Sequence, residues 1–421
     1  MPLTPLRQVL ANGITVIVQE NHAAPAVSVL AAMRAGGYDD PEGRDGTAAL
    51  LARVLDRGTT TRTADQIADE LEGRGASLSV SAGQHQVGVS ATCLVDDFTP
   101  VLASVADLLR NPVFPEHDVA TRKGEIITTI RQEEDDPASV AVNRLFRELY
   151  GAHPYARRVR GTVDAVERLT RDDLVRFHQL HFSPSGLAVV VAGGLRAGDM
   201  LDAVAETLGA WPAGPATATL HVPDAALSST RRQMAIAMPD KSQSDVAYGF
   251  VGVRRSDPGF MAASVMNNAL GQYALGGRLG DSIRERQGMA YYVFSTLDAG
   301  QGPGPLMIRA GVAAANVERT IASIDAELDA IRAEGFTEKE VAESKQYLVG
   351  SLPRQLETNA GIAGFLLNAE LLDLGADYDQ RLPGLIRGVT RDAAVDAAKR
   401  LLEPARATVV VAGPGPEDTH P

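Results

Sequence analysis

Few side chains in this 421-residue chain have the types and spacings that metal binding or nucleophilic catalysis requires. His178 and His181 are three residues apart, which would place two imidazoles on one helix face, where they could bind a metal. No H-x-x-x-D spacing accompanies any of the eight histidines. Cys93 is the one cysteine, so neither an internal disulfide nor a zinc site built on several thiolates is available. We therefore predict no metal site at this histidine pair.

The charge balance argues against nucleic-acid and membrane partners. The 53 acidic and 40 basic residues give a net charge of −13, which repels phosphate backbones and anionic lipid. No apolar run approaches the roughly 18 residues of a membrane helix. The first residues, MPLTPLR, lack the basic and apolar regions of a signal peptide. The 45% of hydrophobic residues predict a globular protein, and the lack of a visible signal peptide predicts a cytoplasmic one.

An internal repeat organises the chain into two halves. A segment near residue 170 recurs near residue 390 without a gap, at a constant offset of 220 (390 minus 170). The matched positions are Thr170-Arg171-Asp172, Val175, Pro184 and 189–193, which correspond to Thr390-Arg391-Asp392, Val395, Pro404 and 409–413. A second set at an offset of 222 pairs Phe114, Glu116 and Lys123 with Phe336, Glu338 and Lys345. Two agreeing offsets indicate that the halves are homologous.

The boundary between the halves is predicted in a stretch of small residues and prolines. This stretch, residues 212–217, directly follows Trp211, the one tryptophan of the chain. Such composition is typical of a linker, because it neither propagates a helix nor packs as a strand. We predict a first domain at 1–211, a linker at 212–217 and a second domain at 218–421.

Within each half, short strands alternate with longer amphipathic helices. Runs such as 15–18 and 187–192 are rich in valine and read as strands. Thr63 and Gln66 have the spacing of a capping box at a helix start, where each side chain accepts from the other residue's backbone N–H. Each half is therefore predicted to be α+β, with helices packed on one face of a mainly antiparallel sheet.

Several motifs resemble those of one peptidase family. They are 10–18 (LANGITVIV), Arg34–Pro41, Gly46–Thr59, Asn111–Phe114, Asp135-Asp136-Pro137, His153-Pro154-Tyr155 and Gly161-Thr162. With the two halves, they resemble the insulinase or mitochondrial-processing-peptidase family of zinc metallopeptidases, the pitrilysin-like peptidases of type M16. The resemblance covers nearly the whole chain and is to the half-size bacterial type. It implies the LuxS/MPP-like metallopeptidase fold, with two homologous α/β-layer halves.

The resemblance also locates a zinc motif, and this chain lacks it. Active members carry H-x-x-E-H before the Gly-Thr pair, two histidines for the metal and a glutamate that activates water. Counting back from 58–59, the histidine positions are Ala49 and Arg53, and the glutamate position is Ala52. The third ligand, a glutamate on a later helix, falls on Thr129. None of the four supplies the family's ligand or base, so we predict no metal in this chain.

Two features of the degenerate motif have alternative interpretations. Arg53 either pairs with a carboxylate and occupies the space of the lost metal, or extends along the surface into solvent. The nearby Glu125, Glu133 and Glu134 are out of register with the missing ligands, and we interpret them as a solvated helix end.

The second half retains a different family signature. In Arg284–Tyr291 an arginine is followed seven residues later by a tyrosine, as in the corresponding half of active members. The resemblance implies that these two side chains hold the substrate backbone. A guanidinium and a phenol are donors that can also stabilise oxygen charge in a tetrahedral intermediate. Arg284 and Tyr291 are therefore the predicted substrate-binding residues.

Three functional hypotheses follow. The leading one is a non-catalytic subunit of a heteromeric zinc endopeptidase, because some family members are built from one zinc-bearing and one complementary subunit. Its partner would be a zinc-bearing homologue, or a second copy of itself, and the substrate an unfolded peptide. The second is a family-derived scaffold without a role in proteolysis. The third is a self-sufficient hydrolase whose ligands have moved elsewhere.

Overall fold

The computed structural model describes residues 2–214, 220–272 and 277–414. Within them the strands are β1 (Leu6–Val9), β2 (Thr15–Glu20), β3 (Ala26–Met33), β4 (Ser77–Ala82), β5 (Val87–Leu94), β6 (Leu187–Gly193), β7 (Arg232–Ala237), β8 (Ser244–Val251), β9 (Ala290–Leu297), β10 (Pro305–Val312) and β11 (Thr408–Gly413).

The α-helices of the same residues are α1 (Thr47–Val54), α2 (Ala64–Glu72), α3 (Phe98–Arg110), α4 (Glu116–Glu134), α5 (Pro137–Tyr150), α6 (Val163–Arg168), α7 (Arg171–His181), α8 (Ala197–Leu208), α9 (Phe260–Asn267), α10 (Val317–Glu334), α11 (Glu338–Gln355), α12 (Asn359–Leu371), α13 (Tyr378–Arg387) and α14 (Arg391–Leu401). Two π-helical segments, Asn268–Gln272 and Gly280–Arg286, lie between α9 and β9. No helix in the described parts is both long and apolar enough to cross a bilayer.

The strands form two mainly antiparallel sheets, as predicted. The first has the order β1-β2-β6-β3-β5-β4, in which only β2 and β6 pair in parallel. The second has the order β7-β11-β8-β10-β9, in which only β7 and β11 pair in parallel. The capping box is also present, because Thr63 accepts from the Gln66 backbone and Gln66 accepts from the Thr63 backbone. The α+β class is therefore confirmed.

Each sheet is covered on its second face by a helix from the other half of the sequence. Helix α12 packs against β3 and β6 of the first sheet, and α5 packs against β8 and β11 of the second. All residues of β6 and all residues of β8 are buried, as expected for strands that are covered on both faces. The prediction that helices pack on one face of each sheet is therefore incomplete. It describes the helices of the same half of the sequence, whereas a helix of the other half packs on the second face.

The compact units are consequently discontinuous in sequence. Unit 1 comprises Met1–Arg131, Arg157–Thr219 and Leu352–Gln380, and unit 2 comprises Gln132–Ala156, Leu220–Ser351 and Arg381–Pro421. Residues 215–217 of the predicted linker lie outside the described residues. The domain boundaries at 211 and 218 stay a prediction about the repeat, and the compact units follow a different division.

Equivalent residues of the repeat make equivalent contacts. Arg171 donates to the Phe114 carbonyl in unit 1, and Arg391 donates to the Phe336 carbonyl in unit 2. Lys123 donates to the carbonyl of Leu169 at 2.9 Å, and Lys345 donates to that of Val389 at 2.8 Å. In both units a basic side chain thus satisfies carbonyl groups at an irregular segment. The shared contacts explain why these positions match in the sequence.

Candidate functional site

Helix α1, which carries the positions that correspond to the zinc motif, begins after a turn that is held by hydrogen bonds. Gly46 precedes it with a φ of 99°, a left-handed conformation that glycine adopts without steric cost. The two carboxylate oxygens of Asp40 accept from the backbone N–H groups of Gly46 (2.7 Å) and Ala48 (2.8 Å). These bonds satisfy N–H groups that have no partner within the helix. Burial raises the pKa of Asp40 to about 7, although both N–H groups oppose that shift.

The three motif positions on α1 have different environments. Ala52 is buried in the unit 1 core, with 4% of its surface exposed, and Ala49 is half-buried. Arg53 is exposed in the last turn of the helix. Two methyl groups and a guanidinium supply no lone pair to a metal, and none of them can act as a general base at neutral pH.

Thr129 on α4 does not compensate for the missing ligands. Its hydroxyl donates to the backbone carbonyl of Glu125, 2.9 Å away, and so serves the helix on which it lies. In residues 2–214, 220–272 and 277–414, no three His, Cys, Asp or Glu side chains are grouped to hold a metal ion. The donor set at the four family positions therefore does not fit zinc.

Arg53 follows the second of its two predicted behaviours, extension into solvent. Its guanidinium is exposed, and no described residue forms an ion pair with it. Glu125 is instead held by Arg122, whose Nη1 lies 2.6 and 2.8 Å from the two carboxylate oxygens. The Arg122 guanidinium keeps the pKa of Glu125 below its usual range, and Arg53 and Arg57 add to that effect. Arg53 thus extends into solvent while its charge still acts on a carboxylate of α4.

The histidine pair of α7 serves packing. The Nε2 of His178 lies 2.9 Å from the Leu109 carbonyl oxygen, and its ring contacts those of Phe114 and Phe182. Burial lowers the pKa of His178, so the neutral imidazole that donates to the carbonyl is favoured. His181 packs on Phe177, with ring centroids 4.5 Å apart. Both rings are therefore engaged within unit 1.

Arg284 and Tyr291, the predicted substrate-binding residues, both lie in unit 2 and reach solvent. Arg284 is in the π-helical segment Gly280–Arg286, with 40% of its side chain exposed and its Nε 3.6 Å from Glu285. Tyr291, near the start of β9, is 69% exposed. Helices of the π type and irregular strands are frequent where a side chain must be presented in an unusual direction.

Tyr291 occupies a β-bulge. Across the β9–β10 ladder, Tyr292 pairs with Gly311 and Ala290 pairs with Val312, so Tyr291 is the extra residue without a cross-strand partner. A bulge interrupts the side-chain alternation of a strand and redirects the extra residue. The exposure of this large aromatic side chain follows from that irregularity.

One polar group near Tyr291 was missed in the sequence. Asp245 on β8 is only 5% exposed and accepts a hydrogen bond from the Tyr292 hydroxyl. The Arg309 guanidinium lies over the rings of Tyr292 and Phe294, 6.0 and 5.7 Å from their centroids. An aspartate inside an otherwise apolar strand (SDVAYGFV) was the signal that could have drawn attention to it.

Together, the two repeated α/β units and a metal-motif helix without ligands define a metallopeptidase-like protein with a degenerate zinc site. Residues 15–163 match the description "Insulinase (Peptidase family M16)", and residues 168–348 match "Peptidase M16 inactive domain". The chain belongs to the peptidase M16 family and is of its half-size type.

Relatives carry names of both active and inactive proteins. An uncharacterized zinc protease of Streptomyces coelicolor is 26% identical over 92% of this chain and 87% of its own length. A non-peptidase homolog of Helicobacter pylori is 25% identical over 88% of this chain and 84% of its own length. A solved peptidase M16 inactive domain from Pseudomonas fluorescens has a TM-score of 0.91 and 26% identity, covering 98% of this chain and 99% of that one. Family membership alone therefore does not decide activity.

Purified alone, the chain is expected to contain no stoichiometric zinc and to cleave no peptide. The reason is that Ala49, Ala52, Arg53 and Thr129 provide neither the family's metal ligands nor its general base. Elemental analysis and a fluorogenic peptide assay measure both properties, and incubation with a chelator should leave the melting temperature unchanged. One tightly bound zinc per chain, or a lower melting temperature after chelation, would contradict this expectation.

Proposed function

We propose that this protein is a non-catalytic subunit of a heteromeric zinc endopeptidase of the M16 family. The observation that carries the proposal is an asymmetry between its two halves. The first half lacks all the zinc-motif side chains, whereas the second half keeps Arg284 and Tyr291 with solvent-exposed side chains. In this role the chain closes the peptide chamber of a zinc-bearing homologue and contributes Arg284 and Tyr291 to substrate binding in trans.

Strand β4 supports a role in peptide binding. It is an edge strand of the first sheet, and its sequence, SLSVSA, contains no charged residue and no proline. Charged residues and prolines are the features by which proteins usually protect a sheet edge from pairing with other chains, and β4 has neither. An extended peptide can add to such an edge through main-chain hydrogen bonds. An unfolded substrate is the class that this mode of binding accepts.

The name of one relative favours a second candidate function. Because that Helicobacter pylori protein is called a non-peptidase homolog, a scaffold role without peptide binding is the alternative. The two candidates differ at Arg284 and Tyr291, because a scaffold has no need of exposed donors there. The proposed location of the complex is the cytoplasm.

The chain is expected to form a dimer, with a zinc-bearing homologue or, in its absence, with itself. A half-built chamber exposes the surface that its partner would cover, and such surfaces tend to associate. Light scattering over a wide concentration range, with and without a family member that carries an intact H-x-x-E-H motif, measures this. A chain that stays monomeric and does not bind the zinc-bearing homologue would count against the subunit role.

A further inference from the structure

We propose that Tyr292 and Asp245 are positioning residues, which form a cross-strand link that fixes the β-bulge presenting Tyr291. The link is structural in its own right, and its consequence for cleavage rests on the proposed function of Tyr291. Neither residue belongs to the zinc motif or to the Arg284–Tyr291 signature.

The link spans three strands in register. Gly311 of β10 pairs with Tyr292 of β9 on one side and with Asp245 of β8 on the other. The three residues therefore form a line across the sheet, and the Tyr292 hydroxyl donates to Oδ1 of Asp245 over the intervening strand. A hydrogen bond between these side chains ties β9 to a strand that is not its neighbour.

Gly311 makes the path of the Tyr292 ring possible. A Cβ at position 311 would lie 2.5 Å from Cε1 of Tyr292 and 2.5 Å from Nε2 of Gln243. Both distances are far inside van der Waals contact, so any larger residue would displace the ring from the strand. Glycine at this position is explained by the aromatic ring that crosses it.

The position of the link determines what it can control. In the described part of the sheet, β9 is an edge strand and pairs only with β10. Its bulge is bounded by Ala290 on one side and Tyr292 on the other, so holding Tyr292 fixes one end of the bulge. Since Tyr291 has no cross-strand partner of its own, its orientation depends on the residues that bound the bulge.

The Asp245 carboxylate gives the link its strength. Asp245 is 5% exposed, and a buried carboxylate that loses one of its donors retains its desolvation cost with less compensation. Three other groups act on it: the Arg309 guanidinium, which also covers the Tyr292 ring, the Gln243 side chain through a hydrogen bond, and the like charge of Asp136. Removing the Tyr292 hydroxyl is therefore expected to loosen the end of β9 while its ring still fills the space over Gly311.

The conformational test uses the full chain labelled with 3-fluorotyrosine. The fluorine resonance of Tyr291 is assigned as the one lost in Tyr291→Phe. We expect Tyr292→Phe and Gly311→Ala to shift or broaden this resonance, whereas Asp245→Asn, which keeps an acceptor oxygen but loses the charge, should change it less than Tyr292→Phe. The matched control is Tyr248→Phe, which removes a 2.8 Å hydrogen bond from a tyrosine of β8, in the same sheet, to Asp325 of α10 without touching the bulge. An unchanged Tyr291 signal in Tyr292→Phe, or an equal change in the control, overturns the proposal.

The functional test measures cleavage of a fluorogenic, unstructured peptide by the chain assembled with a zinc-bearing homologue. Tyr292→Phe is expected to lower kcat roughly tenfold, the loss for one misplaced donor, with KM changed less than about twofold. Tyr248→Phe should stay within about twofold of the wild type. If Tyr291→Phe itself leaves cleavage unchanged, the proposed function fails. If Tyr291→Phe slows cleavage but Tyr292→Phe does not, only the positioning proposal fails.

Discussion

Replacing Arg284 by Ala, or Tyr291 by Phe, is expected to slow peptide cleavage by the assembled enzyme on the order of 10²-fold. That is the usual cost of removing one donor that stabilises developing oxygen charge. Each variant removes one such donor, a guanidinium or a phenolic hydroxyl. Tyr291 is 69% exposed and Arg284 has 40% of its side chain exposed, so we expect neither substitution to disturb the core. The loss should therefore appear in activity without a matching loss of stability.

The division between kcat and KM identifies what the two donors hold. A lower kcat with KM little changed means that the contact forms in the transition state, whereas a higher KM alone means plain substrate binding. In both cases the zinc content and the dimer should be unchanged, because neither residue is a ligand of the metal. Single-turnover kinetics on the assembled complex separates the two cases.

Arg286 offers a matched control for Arg284. It lies on the same segment, is 63% exposed, and forms an ion pair with Asp281 at 3.0 Å. Arg286→Ala removes one positive charge from the same segment, as Arg284→Ala does. If Arg284 acted only through the overall charge, the two variants would slow cleavage equally. Normal cleavage by Arg284→Ala and Tyr291→Phe complexes that assemble fully would contradict the subunit role and favour the scaffold alternative.

A fragment comprising residues 1–219 is expected not to fold on its own, and a peptide comprising residues 352–380 is expected to restore its folding. The fragment contains the whole first sheet but lacks α12, which covers β3 and β6. Helix α12 contributes buried residues on all sides; they are Asn359, Ile362, Ala363, Phe365, Leu366, Leu367, Ala369 and Leu371. Truncating a single core leucine costs about 2–5 kcal/mol. Loss of the whole helix should exceed a total domain stability of about 5–15 kcal/mol.

Polar contacts explain why the peptide should bind in one register. The side-chain amide of Asn359 donates to the Ala26 carbonyl at 2.8 Å. Glu370 pairs with Arg7 through two bonds of 2.8 and 2.9 Å. The Asp379 carboxylate accepts from the Leu3 backbone N–H at 2.7 Å. These contacts lie at both ends of the segment and specify its direction on the sheet.

Trp211 reports the result, since it is the only tryptophan and packs beneath the Arg110 guanidinium. The fragment alone should give an exposed tryptophan and no cooperative melting transition. The added peptide should return the tryptophan to a packed environment and restore a cooperative transition. A control peptide with Leu366→Asp, which would bury a charge at a site 2% exposed, should fail to do so. A fragment that melts cooperatively without the peptide would show that α12 is dispensable.

The sequence by itself determined the local and the countable features of this protein. The homologous halves can be recognised from the sequence because a repeat is found by comparing the chain with itself. In the structure, Arg171 and Arg391 make the same contact, each in its own unit. The α+β class follows from short-range periodicity, and the Thr63 cap depends on residues only three positions apart. The degenerate zinc motif is a matter of residue identity at Ala49, Ala52 and Arg53, which no fold can alter.

Only the tertiary structure decided which distant segments meet. The apolar composition of α12 predicts burial, but not burial on the sheet of the other half, because the hydrophobic effect is non-directional and names no partner. The same holds for Tyr292 and Asp245, which are 47 residues apart and meet only because three strands align over Gly311. A hydrogen bond needs geometry as well as residue type, and that geometry exists only once the strands have paired.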